Sequence, residues 1–130
     1  MKLLILGGTV FLGRHTVEAA LARGHEVTLF NRGQRNPELF PDVEKLRGDR
    51  NGDLSALRGR KWDAVVDTCG YVPRVVRASA ELLAQAVERY VFISSISAYA
   101  DNSRPGQDEN ATLATMPDPT VEDMGKDYGN

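Results

Sequence analysis

A glycine-rich stretch near the amino terminus has the spacing of a phosphate-binding turn. The apolar run Leu3–Leu6 ends in Gly7-Gly8, and Gly13 follows, which predicts a buried strand, a tight turn and the start of a helix. Such a turn leaves backbone N–H groups unpaired, and the helix dipole adds positive charge at the same place. We therefore expect a pyrophosphate to bind on the residues of this turn: Gly7, Gly8, Thr9, Val10, Phe11, Leu12 and Gly13.

The end of the second predicted strand carries no carboxylate. Asn31 and Arg32 follow this strand, where a dinucleotide-binding fold that prefers NAD has an acidic residue for the ribose hydroxyls. Asn31 has no charge to repel a 2′-phosphate, and Arg32 can pair with one. Arg14, directly after the glycine-rich turn, could reach the same phosphate. These residue types favour NADP over NAD, and a solvated surface arginine is the competing interpretation.

Polar or small residues also follow the third and fourth predicted strands. Asp49 could accept a hydrogen bond from the adenine amine, with a turn or capping aspartate as the alternative. Thr68, Cys69 and Gly70 follow the fourth strand, and ligands of open α/β sheets lie outside the carboxyl ends of the strands. We expect these three residues along the middle of the cofactor. Cys69 is interpreted as a small packing residue, because no histidine is placed to activate it.

Ser95 and Tyr128 are the candidate catalytic residues. Ser95 follows the fifth predicted strand, and a serine there can donate a hydrogen bond to a substrate oxygen. A tyrosine near a cation and a nicotinamide can act as a general acid or base, because its pKa of about 10 can be lowered there. An ordinary tyrosine close to a chain end is the alternative for Tyr128.

The elements that position these residues alternate between strand and helix. Strands are predicted at 3–6, 25–30, 43–46, 63–67 and 90–94, helices at 11–23 and from 73 to about 89, and one helical turn at 54–57. This alternation is typical of an α/β protein with a doubly wound, Rossmann-like parallel sheet of about five strands. We expect a dinucleotide-binding domain over 1–100 and an irregular, proline-containing and acidic segment over 101–130.

The composition excludes several other classes of protein. The 130 residues are 42% hydrophobic and suit one globular domain, and the net charge of -2 gives no electrostatic reason to expect nucleic acid. The single cysteine excludes an intrachain disulfide and a multi-cysteine metal site, and we expect no metal. No membrane span or signal peptide is predicted, so a cytoplasmic location is the default expectation.

These motifs together resemble the extended or atypical short-chain dehydrogenase/reductase family, in its NAD-dependent epimerase/dehydratase branch. The resemblance covers the whole chain and is carried by LGGTVFLGR at 6–14, FNRG at 30–33, GD at 48–49, VFISSISAY at 91–99 and DYGN at 127–130. Val10 replaces the middle glycine of the family's G-x-x-G-x-x-G turn. The resemblance implies that Ser95, four residues before Tyr99, is the catalytic serine and that Tyr128 begins the catalytic Tyr-x-x-x-Lys motif.

The lysine of that motif would lie beyond Asn130, as would the sixth strand and the C-terminal substrate-binding part. We expect the N-terminal cofactor portion of a longer reductase, epimerase or dehydratase that acts on a hydroxyl or carbonyl substrate, for example a nucleotide sugar. By itself this chain should bind NADP weakly and turn over little or nothing. A homodimer is also expected, because dimers are frequent in the family. Two alternatives stay open: a non-catalytic relative that senses NADP or binds RNA, and a flavodoxin-like or receiver-like domain.

Overall fold

The computed structural model describes residues 1–122. Its backbone contacts form two units, one of Met1–Ile93 and one that begins at Ser94. Within the described residues, no helix is long and apolar enough to cross a bilayer.

The first unit consists of a parallel sheet, two α-helices and one 3-10 turn. In chain order these are β1 (Lys2–Leu6), α1 (Phe11–Ala22), β2 (Glu26–Asn31), β3 (Glu44–Arg47), the 3-10 turn (Ser55–Leu57), β4 (Ala64–Asp67), α2 (Pro73–Leu83) and β5 (Arg89–Phe92). The strand order is β3-β2-β1-β4-β5, and all neighbouring strands are parallel. This order confirms the predicted Rossmann-like fold, since a flavodoxin-like sheet has its first and third strands adjacent.

The central strand β1 supplies side chains to two separate cores. Leu4 and Leu6 pack in one cluster with Leu83 of α2. Ile5 packs in the other with Val17 of α1. Because successive side chains of a strand point to opposite faces of the sheet, the two helices cover opposite faces. This is the doubly wound arrangement that the sequence predicts, and it leaves the carboxyl ends of the strands free for a site.

Helix α2 ends earlier than the sequence predicts. It stops at Leu83, not near residue 89, and a turn follows in which the Ala86 N–H donates to the Leu83 carbonyl. The Ala86 carbonyl then accepts a hydrogen bond from the Trp62 N–H, just before β4. The prediction of a helix as far as about residue 89 was wrong because this tertiary hydrogen bond ends the helix. No glycine or proline marks the place in the sequence.

The second unit is described as far as Glu122. It contains a 3-10 turn at Ile96–Ala98 and an isolated antiparallel bridge between Tyr99 and Leu113. Turns, bends and unassigned backbone make up the rest of residues 101–122. The domain boundary expected at residue 100 stays a prediction.

Candidate functional site

The turn between β1 and α1 requires glycine for two different reasons. Gly7 and Gly8 have φ angles of +102° and +92°, which residues with a Cβ rarely adopt. A Cβ on Gly8 would also lie 2.6 Å from the Leu29 Cδ2 atom, and one on Gly13 would lie 2.8 Å from the Gly8 nitrogen. Gly8 therefore lets the turn pack against the core, and Gly13 lets α1 approach the turn. The space that Gly8 leaves faces the core and not a phosphate.

The start of α1 presents unpaired backbone donors. Val10 is the N-cap residue, and its side chain makes no capping hydrogen bond. Among residues 1–122, no acceptor takes the N–H groups of Phe11, Leu12 or Gly13. The first turn of the helix contains no acidic side chain. These donors and the positive end of the helix dipole make the turn suitable for a phosphate group.

The turn forms one wall of an open cavity of about 630 Å³. This volume is in the usual range for a small-molecule site. The predicted cofactor-binding residues that line it are Gly7, Gly8, Thr9, Val10, Phe11, Leu12, Gly13, Asn31, Arg32, Asp49, Thr68 and Cys69. The fold therefore brings together residues from the ends of four strands that are far apart in the sequence.

Arg14 and Gly70, which the sequence also predicts to contact the cofactor, are not among the residues that line this cavity, and their role in binding stays a prediction. The Arg14 Nε atom donates to the Glu18 Oε1 atom over 2.9 Å, and this hydrogen bond lowers the pKa of the Glu18 carboxyl. The side chain is thus held along α1. A Cβ on Gly70 would lie 2.5 Å from the Val76 Cγ2 atom, so this glycine permits close packing of α2 on the end of β4.

Asn31 ties the end of β2 to the glycine-rich turn. Its Nδ2 atom donates to the Gly7 carbonyl at 2.9 Å. Its Oδ1 atom accepts from the Gly33 N–H at 2.9 Å and from the Arg47 Nη1 atom at 2.6 Å. The amide group therefore holds the backbone of the site in place, and it brings no negative charge to the cavity.

Two arginines on the loop after β2 line the cavity without a partner. Arg32 and Arg35 are both exposed. In the described part of the chain, neither guanidinium group makes a hydrogen bond or an ion pair. Arg32 is predicted from the sequence, and Arg35 is not. A second basic residue three positions further along the same loop was the signal that could have found it.

Asp49 lines the cavity and also shapes its own loop. Its Oδ1 atom accepts from the Asn51 N–H at 2.9 Å. This contact is that of a turn aspartate, the alternative to adenine binding that the sequence leaves open. A carboxylate can accept several hydrogen bonds, so this contact leaves acceptor sites for a ligand.

A buried ion pair that the sequence motifs do not indicate borders the cavity. The Arg50 Nη1 and Nη2 atoms donate to the Asp67 Oδ1 and Oδ2 atoms at 2.6 and 2.7 Å. The Asp67 side chain is 0% exposed and that of Arg50 is 9% exposed. The Tyr90 hydroxyl also donates to Asp67, and Ser79 Oγ accepts from Arg50, both at 2.7 Å. An acidic residue that ends the buried strand β4 was the signal for a buried cation, because such a charge is costly unless it is paired.

Burial and the ion pair change the pKa values of this network. Burial lowers the pKa of Arg50, but the charge of Asp67 and hydrogen bonds to Cys69 and Asp67 outweigh it, so the pKa is raised. Burial raises the pKa of Tyr90 to about 12. Burial also raises the pKa of the Cys69 thiol, against the opposing effect of Arg50. Tyr90 and Cys69 are therefore neutral at pH 7, and Cys69 is not activated as a nucleophile.

Only one of the two candidate catalytic residues, Ser95, lies in the described part of the chain. Ser95 belongs to the second unit and is exposed, and its Oγ atom accepts from the Ser97 N–H at 3.2 Å and from the Ser97 Oγ atom at 2.8 Å. Tyr128 lies outside the described residues. Their catalytic roles stay predictions.

Comparison with known proteins places this chain in a family. The profile of the NAD dependent epimerase/dehydratase family matches residues 3–79. The chloroplast stem-loop binding protein of 41 kDa b from Arabidopsis thaliana is 32% identical over 114 residues, which cover 75% of this chain and 30% of that protein. The bifunctional pinoresinol-lariciresinol reductase of Forsythia intermedia is 47% identical over 45 residues, which cover 35% of this chain and 13% of that enzyme.

A solved structure with the same fold is MoeE5 in complex with UDP-glucose and NAD. The TM-score is 0.69 at 22% identity, over 88% of this chain and 42% of that one. The chain thus spans less than half the length of each of these three proteins. Since the family profile covers more than half of the 130 residues, the chain belongs to the NAD-dependent epimerase/dehydratase family.

Proposed function

We propose that the chain binds NADP(H) in the cavity and is the cofactor-binding portion of a reductase, epimerase or dehydratase that acts on a hydroxyl or carbonyl substrate. The observation that carries this proposal is the set of donors around the cavity. Among residues 1–122, N–H groups without an acceptor begin α1 on one side, and the guanidinium groups of Arg32 and Arg35, which have no partner, follow β2. The family profile and the NAD bound to MoeE5 support a dinucleotide as the ligand.

The residues at the end of β2 favour NADP over NAD. The side chain at the position expected to contact the ribose hydroxyls is Asn31, whose amide is already bonded to the Gly7 carbonyl. No carboxylate at this position repels a 2′-phosphate, and Arg32 follows it with no partner in the described part of the chain. Hydrogen bonds to a charged group contribute about 1.5–3 kcal/mol, so one such contact can decide between the two cofactors.

The chemistry would belong to the longer protein. The bound nicotinamide supplies hydride exchange with the substrate. We assign Ser95 to hold the substrate oxygen and Tyr128 to move the hydroxyl proton. The reductase relative and the UDP-glucose of MoeE5 support these reaction and substrate classes, with a nucleotide sugar as one example.

Calorimetric titration of the 130-residue chain with NADPH and NADH tests the proposal. Arg32→Ala should weaken NADPH binding roughly tenfold or more and leave NADH binding within about twofold, because only NADPH carries the 2′-phosphate. Arg58→Ala is the matched control, since Arg58 is exposed and does not line the cavity. An unchanged ratio of the two affinities in Arg32→Ala would show that the 2′-phosphate argument is wrong. Absence of any dinucleotide binding would refute the proposal as a whole.

A second candidate function is the binding of an RNA stem-loop. It is favoured by the stem-loop binding protein of Arabidopsis thaliana, which aligns with 75% of this chain. The net charge of -2 does not favour it, because most of the affinity for nucleic acid comes from neutralised phosphates. Fluorescence polarisation with a labelled RNA hairpin at two salt concentrations separates the candidates. Salt-sensitive binding that NADPH does not compete away would favour RNA.

The expected homodimer and cytoplasmic location also stay predictions. Analytical ultracentrifugation of the chain with and without NADPH measures the first. Localisation of a tagged copy of the longer protein measures the second.

A further inference from the structure

We infer that Asn36 is a positioning residue for the 2′-phosphate of NADP and that Arg35 binds this phosphate beside Arg32. The inference rests on the proposed function and deepens it. It concerns the loop of residues 32–36, which we call the arginine loop.

Asn36 bonds the arginine loop to the glycine-rich turn. Its Nδ2 atom donates to the Thr9 carbonyl at 2.8 Å, between residues 27 positions apart. Its φ angle is +43°, in the left-handed region that asparagine adopts more readily than most residues. Its own carbonyl accepts from the Leu39 N–H at 3.2 Å, so the backbone turns at this residue. Side chain and backbone together determine where the loop leaves the cavity.

The arginine loop is held to the turn at both of its ends. Directly before its first residue, the Asn31 Nδ2 atom donates to the Gly7 carbonyl at 2.9 Å. At the other end, Asn36 donates to Thr9. The four residues between these two asparagines all line the cavity: Arg32, Gly33, Gln34 and Arg35. A loop held in this way loses little conformational entropy when a ligand binds, which raises affinity.

The chemistry of the loop suits a phosphate monoester. Such a group carries close to two negative charges and three acceptor oxygens, and two guanidinium groups can match both properties. Arg32 and Arg35 have no partners among the described residues. Arg47 is occupied by Asn31, and Arg50 is occupied by the buried Asp67. Arg35 is therefore the residue available to assist Arg32.

The experiment compares two probes that differ by this phosphate alone, 2′,5′-ADP and 5′-AMP, by calorimetry on the 130-residue chain. Arg35→Gln should lower the affinity for 2′,5′-ADP roughly tenfold or more and change that for 5′-AMP less than twofold. Arg58→Gln is the matched control and should change neither affinity. A merely structural role of Arg35 would not move the ratio of the two affinities.

Asn36→Gly tests the positioning role, because glycine keeps the left-handed backbone and removes the donor. It should reduce the preference for 2′,5′-ADP severalfold while the 5′-AMP affinity stays within about twofold. Asn36→Asp, which keeps the shape of the side chain but has no amide donor, should act in the same direction. Circular dichroism checks that both variants are folded.

The outcomes separate this inference from the proposed function. If Arg32→Ala abolishes the preference for 2′,5′-ADP but Arg35→Gln and Asn36→Gly retain it, the inference is wrong and the NADP proposal stands. If Asn36→Gly weakens both probes equally, Asn36 supports only the turn and its assigned role is wrong. If the unmodified chain binds both probes equally well, the NADP preference and the inference both fail.

Discussion

Replacing Arg50 by methionine should cost about 3–5 kcal/mol of the free energy of unfolding. Methionine approaches the length of the arginine side chain and fills an apolar space, but it leaves the Asp67 carboxylate without a cation. That carboxylate is 0% exposed, so water cannot replace the guanidinium group. The Tyr90 hydroxyl still donates to it at 2.7 Å and the Cys69 N–H at 3.2 Å, which places the loss nearer the lower end of this range.

The matched control is a second arginine–carboxylate pair with the same two-point contact but a different environment. Arg60 Nη1 and Nη2 donate to the Glu44 Oε1 and Oε2 atoms at 2.9 and 2.5 Å. Their side chains are 38% and 47% exposed, and an exposed pair contributes at most about 1 kcal/mol. Arg60 also lies 5.4 Å from the centre of the Trp62 ring, an interaction that adds about 0.5–1 kcal/mol at an exposed site. Arg60→Met should therefore cost less than Arg50→Met.

Urea unfolding at pH 7, followed by the fluorescence of the single tryptophan, measures both losses. The double variant Arg50→Met/Asp67→Leu should recover most of the stability. Equal losses in Arg50→Met and Arg60→Met, or no recovery in the double variant, would refute the reasoning.

Three further predictions concern the turn, the buried network and the cofactor. Gly8→Ala should lower the free energy of unfolding by more than about 2 kcal/mol in thermal unfolding, because φ is +92° and the new Cβ would overlap a core leucine. Gly24→Ala is the control: its φ is +74° with open space around it, so it should cost only about 1–2 kcal/mol. The pKa of Tyr90 is raised to about 12, from about 10 in the unfolded chain, so its neutral hydroxyl stabilises the fold below pH 10. This stability is lost between pH 10 and 12, and Tyr90→Phe should flatten that loss in alkaline unfolding curves. An unchanged loss in Tyr90→Phe would show that the hydroxyl ionises normally. Arg14→Ala should weaken NADPH binding less than Arg32→Ala does, and an equal effect in calorimetry would show that Arg14 leaves its ion pair to reach the phosphate.

Much of the first unit could be predicted because its signals are local. Gly7 and Gly13 mark a turn whose backbone needs glycine, and Gly24 follows α1 in the left-handed conformation. Pro73 begins α2 as expected of a proline in the first turn of a helix. These features depend on neighbouring residues, and the alternation of strands and helices then restricts the topology to very few arrangements.

The site could be predicted only in part, since a sequence motif does not show which side chains are already paired. Arg14 and Arg32 are both candidates for the 2′-phosphate in the sequence, but Arg14 pairs with Glu18, whereas Arg32 lines the cavity and has no partner among residues 1–122. Asn31 is a ligand candidate from its position, and the structure shows its amide bonded to the backbone. Arg35 could not be predicted because it belongs to no motif, although its side chain lines the cavity.

Residue types and their spacing along the chain are sufficient to predict the order of strands and helices, the glycine-rich turn and the missing carboxylate after β2. The end of α2 depends instead on a contact of the folded chain, the hydrogen bond between Trp62 and Ala86. The pairing of Arg50 with Asp67 and the two asparagine bonds that hold the arginine loop to the turn also arise only on folding. These contacts join residues that are distant in the sequence, and their strength comes from burial and geometry that arise only once the sheet has formed.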